Sequence, residues 1–157
     1  MTLDRATLET LFEGAPRFLD RVERAGPFPS DDVLFHVARD IAHAMPEDEQ
    51  IELIDAHPRL GAPPGTVSQM SYHEQGYDRG TATPPDVDVA QELDRLNDAY
   101  EKRHGFRYCV FVAGRSREAL LPDMASAIDA DRTSELHRAL DAVVDIAIDR
   151  HGKLTAR

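Results

Sequence analysis

The sequence predicts an all-α fold, a single-domain bundle of about seven or eight helices spanning residues 1–157. Three observations carry this prediction. Apolar residues recur every three or four positions through most of the chain. Ser, Asp and Pro stand where helices would begin, and Gly and Pro follow where they would end. A strand-like apolar run occurs only near residues 106–112, and it is short enough to be an unpaired extended segment.

Four helices are expected before the middle of the chain. The second of them begins at Pro16, a favoured first helical residue, and ends at the Gly-Pro pair of residues 26–27. Ser30 is a good N-cap for the third helix. Pro46 begins the fourth, with three acidic residues in its first turn. This helix ends at residues 56–58, Ala-His-Pro, because a residue before proline is pushed out of the α region.

The second half continues the helical pattern after a loop. Residues 58–66 contain three prolines and two glycines and predict a stiff, shaped loop. Ser68 or Ser71 is expected to cap a short helix through Tyr77, and a break over residues 80–85 precedes a long helix that ends at Gly105. Ser116 is expected to cap a further helix. The final helix carries an apolar stripe: Leu136, Leu140, Val143 and Ala147.

Composition restricts the classes of partner. The chain has 29 acidic and 18 basic residues, a net charge of −11, which argues against nucleic acid or an anionic membrane surface as a partner. No stretch approaches the roughly 20 apolar residues of a membrane span. Cys109 is the only cysteine, so an internal disulfide and a thiolate metal cage are excluded, and its apolar neighbours indicate a buried hydrophobe. The N-terminus has no signal-peptide pattern, so we expect a cytoplasmic protein.

The most reactive side chains lie on either side of the 58–66 loop. His57 stands at a helix end, and Ser71, Glu74 and Gln75 share one face of the next helix. A histidine, a carboxylate, a hydroxyl and an amide at one cleft could bind a polar ring compound and move protons on it. The same residues also fit a structural role, since Ser71 and Glu74 have the spacing of a capping box and His57 could cap helix carbonyls.

Other candidates are weaker. Residues 114–116, Gly-Arg-Ser, stand at a helix start, where backbone donors and the Arg115 guanidinium could bind an anion; an ordinary turn and N-cap explains them equally well. No metal site is predicted. Positions on helix surfaces, or pointing away from the cluster, are expected for five further histidines: His36, His43, His73, His104 and His137.

Several of these segments resemble one known family. Residues 56–61, Ala-His-Pro-Arg-Leu-Gly, and residues 71–75, Ser-Tyr-His-Glu-Gln, resemble two motifs, Ala-His-Pro-x-Leu/Ile-Gly and Ser-x-x-Glu-Gln. Residues 96–100 and 104–106 are similar to a Leu-Asn-x-x-Tyr and Phe-Gly-Phe signature. These are the motifs of the 2-oxo-4-hydroxy-4-carboxy-5-ureidoimidazoline (OHCU) decarboxylases of urate breakdown, and the resemblance covers nearly the whole chain.

The resemblance implies both an activity and residue roles. It implies a homodimeric, all-helical enzyme that converts OHCU to (S)-allantoin without a metal or cofactor. The histidine matching His57 transfers protons, and a pKa near neutrality would suit that role. The acid matching Glu74 binds and orients the substrate. The residues matching Pro58, Ser71 and Gln75 line the pocket.

One departure from the family leaves the substrate open. The family has an arginine in the penultimate helix that is expected to bind the substrate, and Ala127 stands at that position here. Arg115 or Arg132 would have to supply the missing guanidinium. His104 replaces the usual phenylalanine. We therefore expect an OHCU decarboxylase that also uses Arg115 to bind substrate. The alternatives are a same-fold enzyme with a different small polar substrate and an inactive ligand-binding relative.

Overall fold

The computed structural model describes residues 3–62, 67–75 and 87–156, and within these ranges the chain forms eight helices and no strand. The helices are α1 (Arg5–Phe12), α2 (Pro16–Ala25), α3 (Asp31–Ala44), α4 (Glu47–Asp55), α5 (Gln69–Glu74), α6 (Val87–His104), α7 (Arg117–Ile128) and α8 (Arg132–Thr155). The all-α prediction is confirmed. Among the described residues, none of the helices combines the length and the apolar composition that a membrane span requires.

Helix starts follow local capping signals. The Ser30 hydroxyl accepts a hydrogen bond from the backbone N–H of Val33, and Ser116 caps α7 in the same way. For α5 the cap is Ser68, whose Oγ accepts from the backbone N–H of Ser71 at 3.1 Å. The side chain of Ser71 is therefore available for other contacts. This helix ends at Glu74; residue 77, where the sequence predicted its end, lies outside the described residues.

The long helix α8 lies at the centre of the bundle. It packs against α1, α3 and α4, while α2 packs on α3 and α4, and α6 pairs with α7. Its predicted apolar stripe is buried, from Leu136 to Ala147. One turn further along the same stripe comes Arg150, whose side chain is only 1% exposed. A charged residue thus occupies a core position, and burial on that scale requires charged partners.

The apolar segment 106–112 is neither helix nor strand. It connects α6 to α7 and buries Phe106, Tyr108, Cys109 and Val112 against the core. The predicted burial of Cys109 is confirmed, and burial raises the pKa of its thiol to about 12. A thiol held protonated in this way is a poor nucleophile.

His104 is buried, so its predicted surface position is wrong. It ends α6 where that helix packs on α7, and its Nε2 donates a hydrogen bond to the Ala127 carbonyl at 2.9 Å. Its ring lies near Tyr100 and Phe106, with centroid separations of 4.6 and 5.8 Å. The imidazole therefore packs among aromatic rings. This packing explains why a histidine can occupy the position at which the family has phenylalanine.

Candidate active site

A cleft of about 210 Å³ opens between the end of α4, helix α5, the segment after α6 and the C-terminal half of α8. Its lining brings together five predicted site residues: His57, Pro58, Ser71, Glu74 and Gln75. They come from two separate sequence motifs on either side of the loop. The cleft is small and mixed in polarity, which suits a compact polar ring compound.

His57 presents one ring nitrogen for chemistry. Its Nδ1 lies 3.2 Å from the Leu53 carbonyl, which can only accept, so Nδ1 carries the proton. The other nitrogen, Nε2, is buried and has no hydrogen-bond partner among residues 3–62, 67–75 and 87–156. Burial lowers the pKa of His57 to about 4, and the positive charge of Arg150 contributes in the same direction. The imidazole is therefore uncharged at pH 7.

The turn that carries His57 is held by Arg107, a residue that was not predicted from the sequence. The Arg107 Nη1 donates to the carbonyls of Asp55 and His57 at 2.8 and 3.1 Å. Its backbone N–H also donates to Asp55 Oδ1 at 2.9 Å. These bonds satisfy carbonyls at the end of α4, so the position of the imidazole does not depend on Pro58 alone.

Glu74 is held by a buried arginine. Arg150 donates from Nε and Nη2 to the two carboxylate oxygens of Glu74, at 2.7 and 2.6 Å. This bidentate geometry fixes the plane of the carboxylate. Arg150 itself is not among the residues that line the cleft, so it acts on the site through Glu74. Arg150 was not predicted from the sequence, although its position on the apolar stripe of α8 indicates burial.

A second carboxylate completes this network. Glu13 Oε1 accepts hydrogen bonds from the hydroxyls of Ser68 and Ser71, both at 2.6 Å, and from Arg150 Nη2 at 2.9 Å. Although burial raises the pKa of Glu13, the two hydroxyls and the charge of Arg150 outweigh it and keep that pKa below its ordinary value. Ser71 Oγ also accepts from Arg150 Nη2 at 3.1 Å. The hydroxyl of Ser71 therefore bridges the charged groups behind Glu74.

Gln75 lines the cleft while holding the loop opposite. Its side-chain oxygen accepts from the backbone N–H of Gly61 at 2.7 Å, and its Nε2 donates to the carbonyl of Arg59 at 3.1 Å. Asn97 adds a hydrogen bond to the Leu60 carbonyl at 3.0 Å. Two amide side chains thus fix residues 59–61 and, with them, the wall next to His57.

Two arginine-related expectations do not match the structure. Arg115 does not line this cleft; it lies at a separate shallow depression and donates to Asp123 and to the carbonyls of Phe111 and Val112. Ala127 is also away from the cleft, buried where α7 packs on α6. The arginine that does belong to the site network is Arg150, which lies behind Glu74.

The far wall and rim were not predicted from the sequence. Residues 108–114 form one wall, and Asp149 and Lys153 reach the cleft from the last turns of α8. His73 also lines the cleft, so the expectation that it points away from the cluster is wrong. Within the described residues, no group of three or more His, Cys, Asp or Glu side chains is arranged to hold a metal ion.

Comparison with known proteins points to one family. The family model of the OHCU decarboxylases matches residues 4–152. A 2-oxo-4-hydroxy-4-carboxy-5-ureidoimidazoline decarboxylase of Halalkalicoccus jeotgali is 30% identical over 147 residues, covering 92% of this chain and 81% of the relative. The protein of the same name from Haloferax volcanii is 25% identical over 137 residues, covering 87% of this chain and 80% of its own.

A longer relative points to the same family, and a solved structure shares the fold. The uric acid degradation bifunctional protein of Bacillus subtilis is 28% identical over 141 residues, which is 90% of this chain but only 28% of that protein. A crystal structure of OHCU decarboxylase in the presence of (S)-allantoin superimposes with a TM-score of 0.74 at 23% identity, covering 95% of this chain and 96% of the other. The two chains share one fold.

Proposed function

Because this chain belongs to the OHCU decarboxylase family, we propose that it converts OHCU to (S)-allantoin and carbon dioxide. The observation that carries the proposal is the buried Nε2 of His57, which faces no hydrogen-bond partner in the described residues and lines a cleft with Glu74. A neutral imidazole with one nitrogen anchored and the other available is suited to proton transfer.

The reaction needs an acceptor for one electron pair and a carrier for one proton. When the bond from C4 to the carboxylate breaks, its electrons form a C4–C5 double bond as the C5=N bond of the substrate accepts a pair. The ring nitrogen that received this pair takes a proton from solvent, because the substrate enters as a carboxylate and carbon dioxide leaves uncharged. The C4 hydroxyl then becomes a carbonyl by losing its proton, and C5 gains one. Since the substrate supplies its own electron sink, we propose that no metal or organic cofactor takes part.

His57 is the proposed proton carrier. Its Nε2 takes the proton of the C4 hydroxyl and returns a proton to one face of C5. Because the pKa of His57 is lowered, its protonated form is a stronger acid than an ordinary imidazolium. Such an acid readily transfers its proton to C5 of the substrate, so the imidazole returns to its neutral form. Delivery from one fixed nitrogen explains how a single enantiomer would form.

Glu74 is the proposed substrate anchor. Arg150 donates hydrogen bonds to both carboxylate oxygens of Glu74 from outside the cleft. Each oxygen has further lone pairs that can accept hydrogen bonds, and Glu74 lines the cleft. These lone pairs can accept N–H groups of the ring or of the ureido chain. A rigid acceptor orients the substrate relative to His57, and positioning of this kind is a large part of catalysis without cofactors.

We further propose that the enzyme acts as a homodimer in the cytoplasm, as the family resemblance implies. The buried thiol of Cys109 is compatible with a reducing compartment. Light scattering of the purified protein tests the assembly: a mass of twice 17.5 kDa is expected, and a single-chain mass contradicts it.

The direct test is turnover of OHCU generated in situ from urate by urate oxidase and hydroxyisourate hydrolase, followed by circular dichroism of the allantoin. We expect one enantiomer to appear well above the slow racemic background. His57→Asn keeps a donor for the Leu53 carbonyl but removes Nε2. We therefore expect the rate to fall by about 100-fold or more.

The matched control is His36→Asn, because His36 is an exposed histidine on α3. It should turn over like the unmodified protein. Absence of turnover in the unmodified protein, or full activity in His57→Asn, would contradict the proposal. The alternative of a different small polar substrate is not favoured, because the family model that matches residues 4–152 is that of the OHCU decarboxylases.

A further inference from the structure

Under the proposed function, the cleft must bind an anion although two carboxylates line it. This inference rests on the proposed function, in which the substrate carries a carboxylate. Glu74 and Asp149 line the cleft, and the chain as a whole has a net charge of −11. Burying a carboxylate next to two others is unfavourable unless a cation accompanies it. The site therefore needs a positive group that can reach the substrate.

Arg150 cannot be that group. Its guanidinium is 1% exposed and already donates to the carboxylates of Glu74 and Glu13, the Thr10 carbonyl and the Ser71 hydroxyl. It also stands outside the cleft lining, behind Glu74. A substrate carboxylate would have to displace one of its two buried carboxylate partners, which would leave that partner uncompensated.

Lys153 is the only lysine or arginine among the described residues that line the cleft. Its Nζ lies 2.8 Å from Asp149 Oδ2, one helical turn back, and the two side chains are 55% and 34% exposed. An exposed pair four residues apart on a helix contributes little to stability, so its partner can be exchanged at small cost. The flexible four-carbon stem of lysine allows the ammonium to move between two acceptors.

Lys153 also lies at the entrance to the cleft. A wider depression of about 1110 Å³ between α1, α5 and α8 adjoins the cleft, and His73, Glu74 and Lys153 line both. Within the described lining of this second depression, Lys153 is again the only lysine or arginine, while Glu9 and Glu13 are acidic. A carboxylate that enters along either surface therefore meets the same ammonium.

We propose that Lys153 binds the carboxylate of the substrate, exchanging Asp149 for it, and so selects ring compounds that carry a carboxylate. When this carboxylate leaves as carbon dioxide, Lys153 returns to Asp149. The neutral product then lacks the contact that retained the substrate, which favours its release. Lys153 is thus a specificity-determining binding residue, distinct from the proton carrier and the anchor.

The chain offers a matched control, because it contains only two lysines, Lys102 and Lys153. Lys102 is exposed on α6 and lies outside these cavities. In Lys153→Gln we expect the KM for OHCU to rise about tenfold with kcat nearly unchanged, as for loss of a contact made equally in ground and transition states. Lys102→Gln should behave like the unmodified protein. Inhibition by (S)-allantoin, which has no carboxylate, should be equal in all three.

A binding measurement separates this inference from the proposed function. Calorimetry with hydantoin-5-acetate and its uncharged amide should show a preference for the carboxylate in the unmodified protein and in Lys102→Gln, and none in Lys153→Gln. That preference should weaken as salt is added. Lack of a preference in the unmodified protein, or its survival in Lys153→Gln, would overturn the inference. A Lys153-dependent preference without OHCU turnover would instead refute the proposed function and leave the anion site standing.

Discussion

The buried guanidinium of Arg150 provides a sharp test of the site network. Arg150→Met keeps most of the buried stem but removes every hydrogen-bond donor to Glu74 and Glu13. Those two carboxylates are only 15% and 13% exposed, so both lose the charge that compensates their burial. Removing one partner of a buried ion pair typically costs about 3–5 kcal/mol. In a domain of this size that corresponds to a fall in Tm of about 6–20 °C.

The sign of the pH dependence makes the prediction specific. In the unmodified protein the pKa of Glu13 is lowered, so its contribution to stability is present above its unfolded pKa and is lost as the pH falls. Without Arg150, burial should raise the pKa of the Glu13 carboxyl above its unfolded value. Burial of that carboxylate then costs most at neutral pH and least in acid. We therefore expect Arg150→Met to lose more stability at pH 7.5 than at pH 5.

Urea unfolding followed by circular dichroism at both pH values measures this difference. The control is Arg95→Met, which removes an exposed pair with Glu92 on α6 and should leave stability nearly unchanged at either pH. An Arg150→Met protein as stable as the unmodified one, or destabilised equally at both pH values, would refute the account of Arg150 as the charge that compensates Glu13 and Glu74.

Three further outcomes are expected. Gln75→Leu leaves two backbone groups of the 59–61 loop without partners, so urea unfolding should show a loss of about 1–3 kcal/mol, absent in the exposed control Gln69→Leu. Ala127→Arg should lower the Tm without raising turnover, because residue 127 is buried away from the cleft; higher activity would restore the idea of an arginine there. The kcat/KM for OHCU should stay level from pH 8 to about pH 5 and fall as His57 protonates near its pKa of about 4, whereas a fall centred near the ordinary histidine value would contradict the lowered pKa.

Local signals in the sequence predicted the helices and those site residues that belong to the two motifs on either side of the 58–66 loop. Caps such as Ser30 and Ser116 involve atoms within three residues of each other, so they can be recognised without a fold. The proline after His57 ends a helix by a steric effect on its immediate neighbour. The spacing of Ser71, Glu74 and Gln75 places them on one helical face whatever surrounds that helix. These are the residues that the sequence identified, and the structure brings them to one cleft.

Only the tertiary structure decided which charges meet and which groups are buried. Arg150 is 76 residues from Glu74 and 137 from Glu13, and no local spacing indicates that the three converge. The burial of His104 and the lowered pKa of His57 follow from packing between helices, because desolvation depends on every neighbour in space. The sequence by itself determined the helices and the motifs that carry reactive groups, since those depend on neighbours along the chain. The charge state and orientation of the same groups depend on long-range packing, and the fold alone determined them.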